Sequence, residues 1–296
     1  MADELKKLLN RNDLPAMIVE IDTTFDIGNY YVTWMTFRVT DFYDLETSPM
    51  PTAGLACFIH SKKLQASHEY FLNMVNEEIP ELKSATNVLF CSDEEAAIVN
   101  ALEKVFPNIP RTRCHIHTWK NIKLKLRSLG VTGKSSLKVY KDQFYQLINQ
   151  KSYVEFRAVL RTFSLNNWSA DFLKYFKANI EPDINNMGVW SLQKYGVNFH
   201  LSTNRAESFN ALVKRRFMKP RNYGEDDIIL GSSELVRRQV LRIRRARYGI
   251  GESWLLQKEF RHLYDINRED KLNPDDDEDQ HELDTEQIQS QDVLLV

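Results

Sequence analysis

Cysteine is nearly absent from this sequence. Cys57, Cys91 and Cys114 are its only three across 296 positions. Too few and odd in number for a disulfide scaffold, they point to a reducing compartment. No Cys-x-x-Cys pair occurs, which removes the commonest zinc and redox signatures. The opening, MADELKKLLNRND, has no apolar signal segment. No window approaches the run of about 18 apolar residues that a membrane span needs. Internal repeats are missing, and so is any lysine-rich import cluster strong enough to fix a nuclear location. These gaps leave an intracellular, soluble protein with no membrane partner as the expectation. What is present is a chain that is 43% hydrophobic, enough for one large domain or one domain with an insertion.

Charge of one sign is also scarce overall, at a formal net of -2, but it is unevenly placed. From Arg111 to Arg161 there are twelve Lys/Arg against Asp142 and Glu155, and from Arg205 to Arg247 twelve against five acids. The end, REDKLNPDDDEDQHELDTEQ, is strongly acidic. Two basic regions and an acidic tail suit a local polyanion site, or solvated helix faces beside a solubilising tail.

Strand and helix signals alternate over the first 130 residues. AMIVEIDTTF (16–25), YYVTWMTFRV (30–39), with Gly28 and Asn29 turning between them, and AGLACFI (53–59) read as three strands in a meander. The link TDFYDLETSPMP reads as loop. A helix follows with Leu64, Tyr70, Phe71 and Met74 at helical spacing. TNVLFCS (86–92) reads as a central strand. Ser92 with Glu95 three residues on reads as a capping box, and Pro107 ends the helix that follows. RTRCHIH reads as a fifth strand running into a helix that Gly130 can cap. Residues 131–200 are helical and aromatic-rich, and Trp168 and Trp190 there read as core. TNRAESFNALVKRRF (203–217) and SSELVRRQVLRIRRARYG are further helices, and 266–296 reads as a disordered tail. The class is α/β: a mixed sheet flanked by helices, with a helical insertion.

Three acids stand where packing does not ask for them. Asp22 lies inside the first strand. If Val19, Ile21 and Thr23 face one way, Glu20 and Asp22 face the other. Asp93 ends the fourth strand, where open α/β sheets place ligands. Glu207 sits on the later helix, with Asn210 one turn on. Each has a simpler reading: a buried acceptor, a helix-start acid, an arginine partner. Together on one sheet they would repel unless a cation lay between them, and oxygen-only donors suit Mg²⁺ or Mn²⁺. Cys114 and His117 have half the spacing of a zinc site and need two ligands from elsewhere, with His60, His68, His115 and His200 available. The alternative is a small buried thiol beside a capping or core histidine. Lys120, Lys123, Arg205, Lys214, Arg215 and Arg216 are suited to phosphate contacts.

Four pieces in order, IDTTF around Asp22, CSDEEAAIVNALEKVFP around Asp93, CHIHTWKN with Cys114 and His117, and LSTNRAESFNALVKRR around Glu207, resemble the transposase domain of Mutator-like elements, a branch of the ribonuclease-H-like superfamily. The likeness covers roughly residues 15–220. It implies a ribonuclease-H-like core begun by 15–130, interrupted by an insertion at 131–200 and resumed by helices over 201–265, after a polar segment at 1–14. It also implies Asp22, Asp93 and Glu207 as catalytic and metal-holding acids, with Glu155 and Glu181 as positional rivals to Glu207. The reaction implied is strand cleavage and strand transfer on double-stranded DNA, at transposon ends and target, with two Mg²⁺ or Mn²⁺ ions, in the nucleus. A structural Zn²⁺ at Cys114 and His117 and a homo-oligomer are further options. Relatives usually carry a DNA-binding region before this domain and often a zinc module after it. Neither is expected here, so a fragment, a degraded copy, or a domesticated non-catalytic DNA-binding or regulatory protein is the alternative expectation.

Overall fold

The computed structural model describes residues 1–9, 11, 16–27, 30–46, 48–217, 224–251, 253–264 and 293–295. Along the chain come α1 (Ala2–Leu9), β1 (Met17–Ile27), β2 (Tyr30–Arg38), the short strands β3 (Phe42–Asp44) and β4 (Ser48–Pro49), β5 (Thr52–His60), α2 (Gln65–Glu78), β6 (Val88–Ser92), α3 (Ala96–Val105), β7 (Arg111–Arg113) and α4 (His115–Ser128). There follow α5 (Lys134–Ile148), α6 (Tyr153–Asn166), α7 (Ala170–Asn179), α8 (Val189–Leu192), α9 (Asn204–Phe217), α10 (Glu225–Arg247), β8 (Trp254–Leu256) and β9 (Val293–Leu295).

The main sheet runs β7-β6-β1-β2-β5-β9. β1, β2 and β5 form the antiparallel meander, while β6 and β7 add in parallel on the other side of β1. A meander followed by parallel crossovers, with helices on both faces, is the ribonuclease-H-like arrangement the sequence led us to expect. Alternation along β1 sorts its side chains. Met17, Val19 and Ile21 enter an apolar core with Leu5 and Leu8 of α1, Phe71, Leu72 and Val75 of α2, and Ile98, Ala101 and Leu102 of α3. Each large side chain so buried stabilises the fold by about 1.5–3 kcal/mol.

The opposite face is shared. Ile18, Leu89 and Cys91 pack with Cys114 and Leu201. Val32, Trp34, Cys57 and Ile59 pack with Phe209 and Val213 of α9 and Ile228 and Val236 of α10. α9 lies close because Gly54 on β5 has no side chain. A Cβ there would stand 2.7 Å from the Phe209 ring, which meets Trp34 edge-on at 4.9 Å. The inserted helices keep a core of their own, including Phe144, Leu147, Phe156, Phe172 and Phe176, against Ile122 and Leu126 of α4. Trp168 is buried in it and donates its indole N–H to Gln143 at 2.8 Å.

Several local expectations change. The link after β2 is not plain loop: it supplies β3 and β4, which form a second sheet with the distant β8 in the order β4-β3-β8. The capping box at Ser92 and Glu95 does not form. β6 runs through Ser92, α3 begins only at Ala96, and the acceptor is Asp93, whose Oδ1 takes the Glu95 N–H at 3.0 Å. Leu64 and Tyr70 are exposed, since α2 faces the core with Phe71, Leu72 and Val75. The strand read at RTRCHIH stops at Arg113, and Cys114 is already the residue before α4. Gly28, Asn29 and most of 266–296 lie outside the described residues, but Val293–Leu295 pairs with β5 as an edge strand.

Candidate active site

The register of β1 against β6 pairs Glu20 with Cys91 and Ile21 with Ser92. Asp22, inside β1, and Asp93, the residue just past the end of β6, are therefore next in that register, and the charge of Asp93 is felt at Asp22. Asp93 is steadied by the Glu95 amide, and Glu95 is itself held by Lys63 at 2.7 Å. Asp22 is part-buried and accepts 2.6 Å from Nδ2 of Asn210 on α9. Burial pushes its carboxyl up to about 7, and the charges of Glu207 and Asp93 push the same way, against His117 and the Asn210 hydrogen bond. A carboxyl so placed among other carboxylates is a ready oxygen donor for a cation. Asn210 Oδ1, also buried, has no hydrogen-bond partner among the described residues, leaving a second oxygen free beside Asp22.

Two tethers fix the start of α9. Glu20, fully buried on β1, pairs with Arg38 of β2 at 2.6 Å and accepts the Ala206 N–H at 2.9 Å, while Arg38 reaches the Ser202 carbonyl at 3.4 Å. Cys114 Sγ accepts the N–H of Thr203 at 3.3 Å and its hydroxyl at 3.4 Å. The thiol lies below its usual range: burial opposes ionisation, but interactions with His117 and Thr203 outweigh it. His117 contacts the Thr203 hydroxyl through Nδ1 at 3.3 Å and Glu207 Oε1 through Nε2 at 3.1 Å. Lys120, one helical step on, donates to the same Glu207 oxygen at 3.2 Å.

The fold thus brings Asp22, Asp93, Glu207, Cys114 and His117 into one neighbourhood. It does not close them into a metal cage: among the described residues no group of three or more His, Cys, Asp or Glu side chains is arranged to hold an ion. Glu207 faces His117 and Lys120 instead. Cys114 and His117 lie against each other, and their side chains also meet Thr203 and Glu207. His115 and His200 stack on each other at 4.1 Å, bonded to Tyr145 and Asn149. Of the positional rivals, Glu181 pairs with Arg157, and Glu155 is exposed at the start of α6, accepting from the Lys151 amide.

The phosphate-contact candidates divide. Lys120 and Lys123 lie on α4, and Lys214 and Arg215 on α9, the two helices that bear His117 and Glu207. Arg205 is half-buried, its charge disfavoured by burial and by Arg38. The Arg216 side chain lies outside the described residues. Sequence reasoning put Glu20 on the Asp22 face and Thr203 at the start of the Glu207 helix without giving either a tethering role, and did not single out Arg38. The one available signal was an ionisable residue two places before Asp22 in an otherwise apolar strand. Among the described residues no helix is long and apolar enough to cross a membrane.

A family model described as the MULE transposase domain matches residues 18–121. A second, described as Transposase, Mutator family, matches residues 82–237. The first span holds Asp22, Asp93 and the Cys-x-x-His; the second runs from before Asp93 through α9 and into α10. No curated protein matches the chain.

Proposed function

Because the chain belongs to the Mutator family of transposases, we propose that it cuts and joins DNA strands at the acidic site formed by Asp22, Asp93 and Glu207. The observation that carries this reading is the placing of Asp93, just past the end of β6, next to Asp22 on the neighbouring β1, with Glu207 near enough to raise the Asp22 carboxyl. The three carboxylates, with Asn210 beside them, are the groups that would hold Mg²⁺ or Mn²⁺. When bound there, divalent cations supply activation of an attacking hydroxyl and stabilisation of the leaving 3′-oxygen in phosphoryl transfer.

The chain's own residues prepare that site. Asn210 orients Asp22. The Glu95 amide orients Asp93. His117 and Lys120 hold Glu207 on the site side of α9, and Cys114 and Thr203 hold the end of the helix that bears it. This gives the Cys-x-x-His a role without zinc: it joins α4 to α9. Lys123, Lys214 and Arg215 flank the acids as contacts for double-stranded DNA carrying the element ends and target, and on this reading the protein works in the nucleus.

A supercoiled plasmid nicking assay with the full chain in Mn²⁺ or Mg²⁺ tests the reading. Metal-dependent nicking is expected, with Asp93→Asn lowering it by at least about 10²–10³-fold. Full activity in Asp93→Asn would sink the assigned site. A second reading, a domesticated DNA-binding or regulatory protein, is favoured by the engagement of Glu207 with His117 and Lys120. Salt-dependent DNA binding without nicking, and without Mn²⁺ uptake in calorimetry, would decide for it.

A further inference from the structure

The second basic stretch of the sequence is only partly used by the acidic site. α10 turns Ile228, Val236, Gln239, Ile243 and Ala246 inward, and Gln239 is bound to β5 through the Gly54 N–H at 2.9 Å. Arg237, Arg238, Arg242, Arg244 and Arg245 are exposed on the other side. Arg238 pairs with Glu234 one turn back, and the last arginine, Arg247, turns in to pair with Glu4. Among the described residues, the side chains of Arg237, Arg242, Arg244 and Arg245 make no hydrogen bond or ion pair. Like charges three and four residues apart, as at 238, 242 and 245, cost an isolated helix a few tenths of a kcal/mol per pair. The Arg238–Glu234 pair and the C-terminal position of Arg244 and Arg245 on α10 offset part of that cost, and Arg242 has no such carboxylate partner among the described residues.

A cavity of about 270 Å³ opens on this face, with Arg238, Arg242 and Arg245 on the helix side and Gly251, Ser253 and Trp254 opposite. Among the described residues no carboxylate lines it. The opposite wall is fixed. Gly249, at φ 75°, turns the chain back after α10. Gly251 then lies so close that a Cβ would stand 2.2 Å from the Trp254 carbonyl oxygen and 3.1 Å from Ala246 Cα. Trp254 is buried and gives its indole N–H to Asp44 at 3.2 Å, so the guanidinium groups are the donors left to meet a ligand. Guanidinium forks match phosphate oxygens in shape and charge.

We propose that this face of α10 binds the phosphate backbone of DNA outside the acidic site. The proposal rests on the DNA reading above and adds a second contact surface to it. A backbone fits better than a single phosphate because the arginines from 237 to 245 span about 12 Å of helix. That is three to four nucleotide steps at about 3.4 Å each. The contact positions DNA and carries no base readout.

The test uses the full chain without divalent metal and a labelled duplex of about 30 base pairs of arbitrary sequence, with affinity followed by anisotropy from about 50 to 200 mM salt. Each phosphate contact contributes about -0.9 to the slope of log affinity against log salt. Arg242→Gln with Arg245→Gln is expected to weaken binding and flatten that slope by about 2, while Arg242→Lys with Arg245→Lys keeps the wild-type slope. Both pairs are exposed, and matching melting curves check that they fold. An unchanged slope in the glutamine pair overturns the proposal, as does a wild-type chain that does not bind at the lowest salt. In either case metal-dependent plasmid nicking by the same preparation shows whether the acidic-site reading stands alone. Binding that appears only after Asp275, Asp276, Asp277 and Glu278 are changed to Asn or Gln assigns the face to the chain's own acidic stretch and overturns the DNA assignment.

Discussion

The two sides of β1 differ by one residue in sequence and by everything in chemistry. Val19 and Ile21 enter an apolar core, where size and shape decide the energy. Glu20 and Asp22, between and beside them, each make a hydrogen bond to α9. The two acids also differ from each other. Glu20 is matched by a guanidinium and a backbone N–H, so its burial is compensated. Asp22 has one amide donor and two carboxylates acting against it, and its carboxyl rises to about 7. One acid on this face builds the fold, and the next along stays crowded by like charge.

The sharpest way to break that contrast is Glu20→Ala. It leaves Arg38 buried without its carboxylate and the Ala206 amide without an acceptor, and a loss of about 3–5 kcal/mol is expected in urea unfolding. A loss under about 1 kcal/mol would mean that Glu20 does not anchor α9. Asp22 should behave in the opposite sense. Its folded pKa, about 7, lies above its ordinary value of 3.8. The folded, metal-free chain therefore binds more protons than the unfolded chain between those values, and its stability falls as pH rises through that window. Asp22→Asn should remove this part of the pH dependence and melt higher than wild type at pH 8, by about 2–4 °C for each kcal/mol gained. An Asp22→Asn melting profile that falls with pH as steeply as the wild type would count against the crowded-carboxylate account. The smallest effect is expected on the apolar side. Ile21→Val should cost about 0.5–1.5 kcal/mol and leave metal-dependent nicking unchanged.

Much of this was legible in the sequence because it is written in periods. Period-two alternation in VEID placed Val19 and Ile21 apart from Glu20 and Asp22, and the apolar run TNVLFCS placed Asp93 at a strand end. The helical stretch after Thr203 placed Glu207 and Asn210 on one face. What stayed hidden was long-range. β3 and β4 exist because Trp254–Leu256 returns more than 200 residues later to pair with β3, and nothing local in TDFYDLETSPMP announces a partner. The reading of Ser92 as a cap failed because the strand outlasted the serine, and only the backbone shows that Asp93 takes the cap-like hydrogen bond instead. The Cys-x-x-His spacing left half a zinc site and a buried thiol beside a core histidine both open. What it could not announce is that both side chains meet Thr203, 89 residues beyond Cys114, which has no pattern that would link them.

The anchoring of α9 from the sheet has an evolutionary consequence. The glutamate's address is set by Glu20 and Cys114, which precede the inserted helices, and by Thr203 and Ala206, which follow them. Apart from Leu192 and Val197, which pack on the sheet beside Ile18 and Leu89, the inserted helices keep their hydrophobic interior to themselves and to α4, so the length and make-up of the rest can drift, or be traded for another subdomain, while the third acid keeps its post. Lineages descended from this architecture are free to redesign the detour so long as the return docking is preserved.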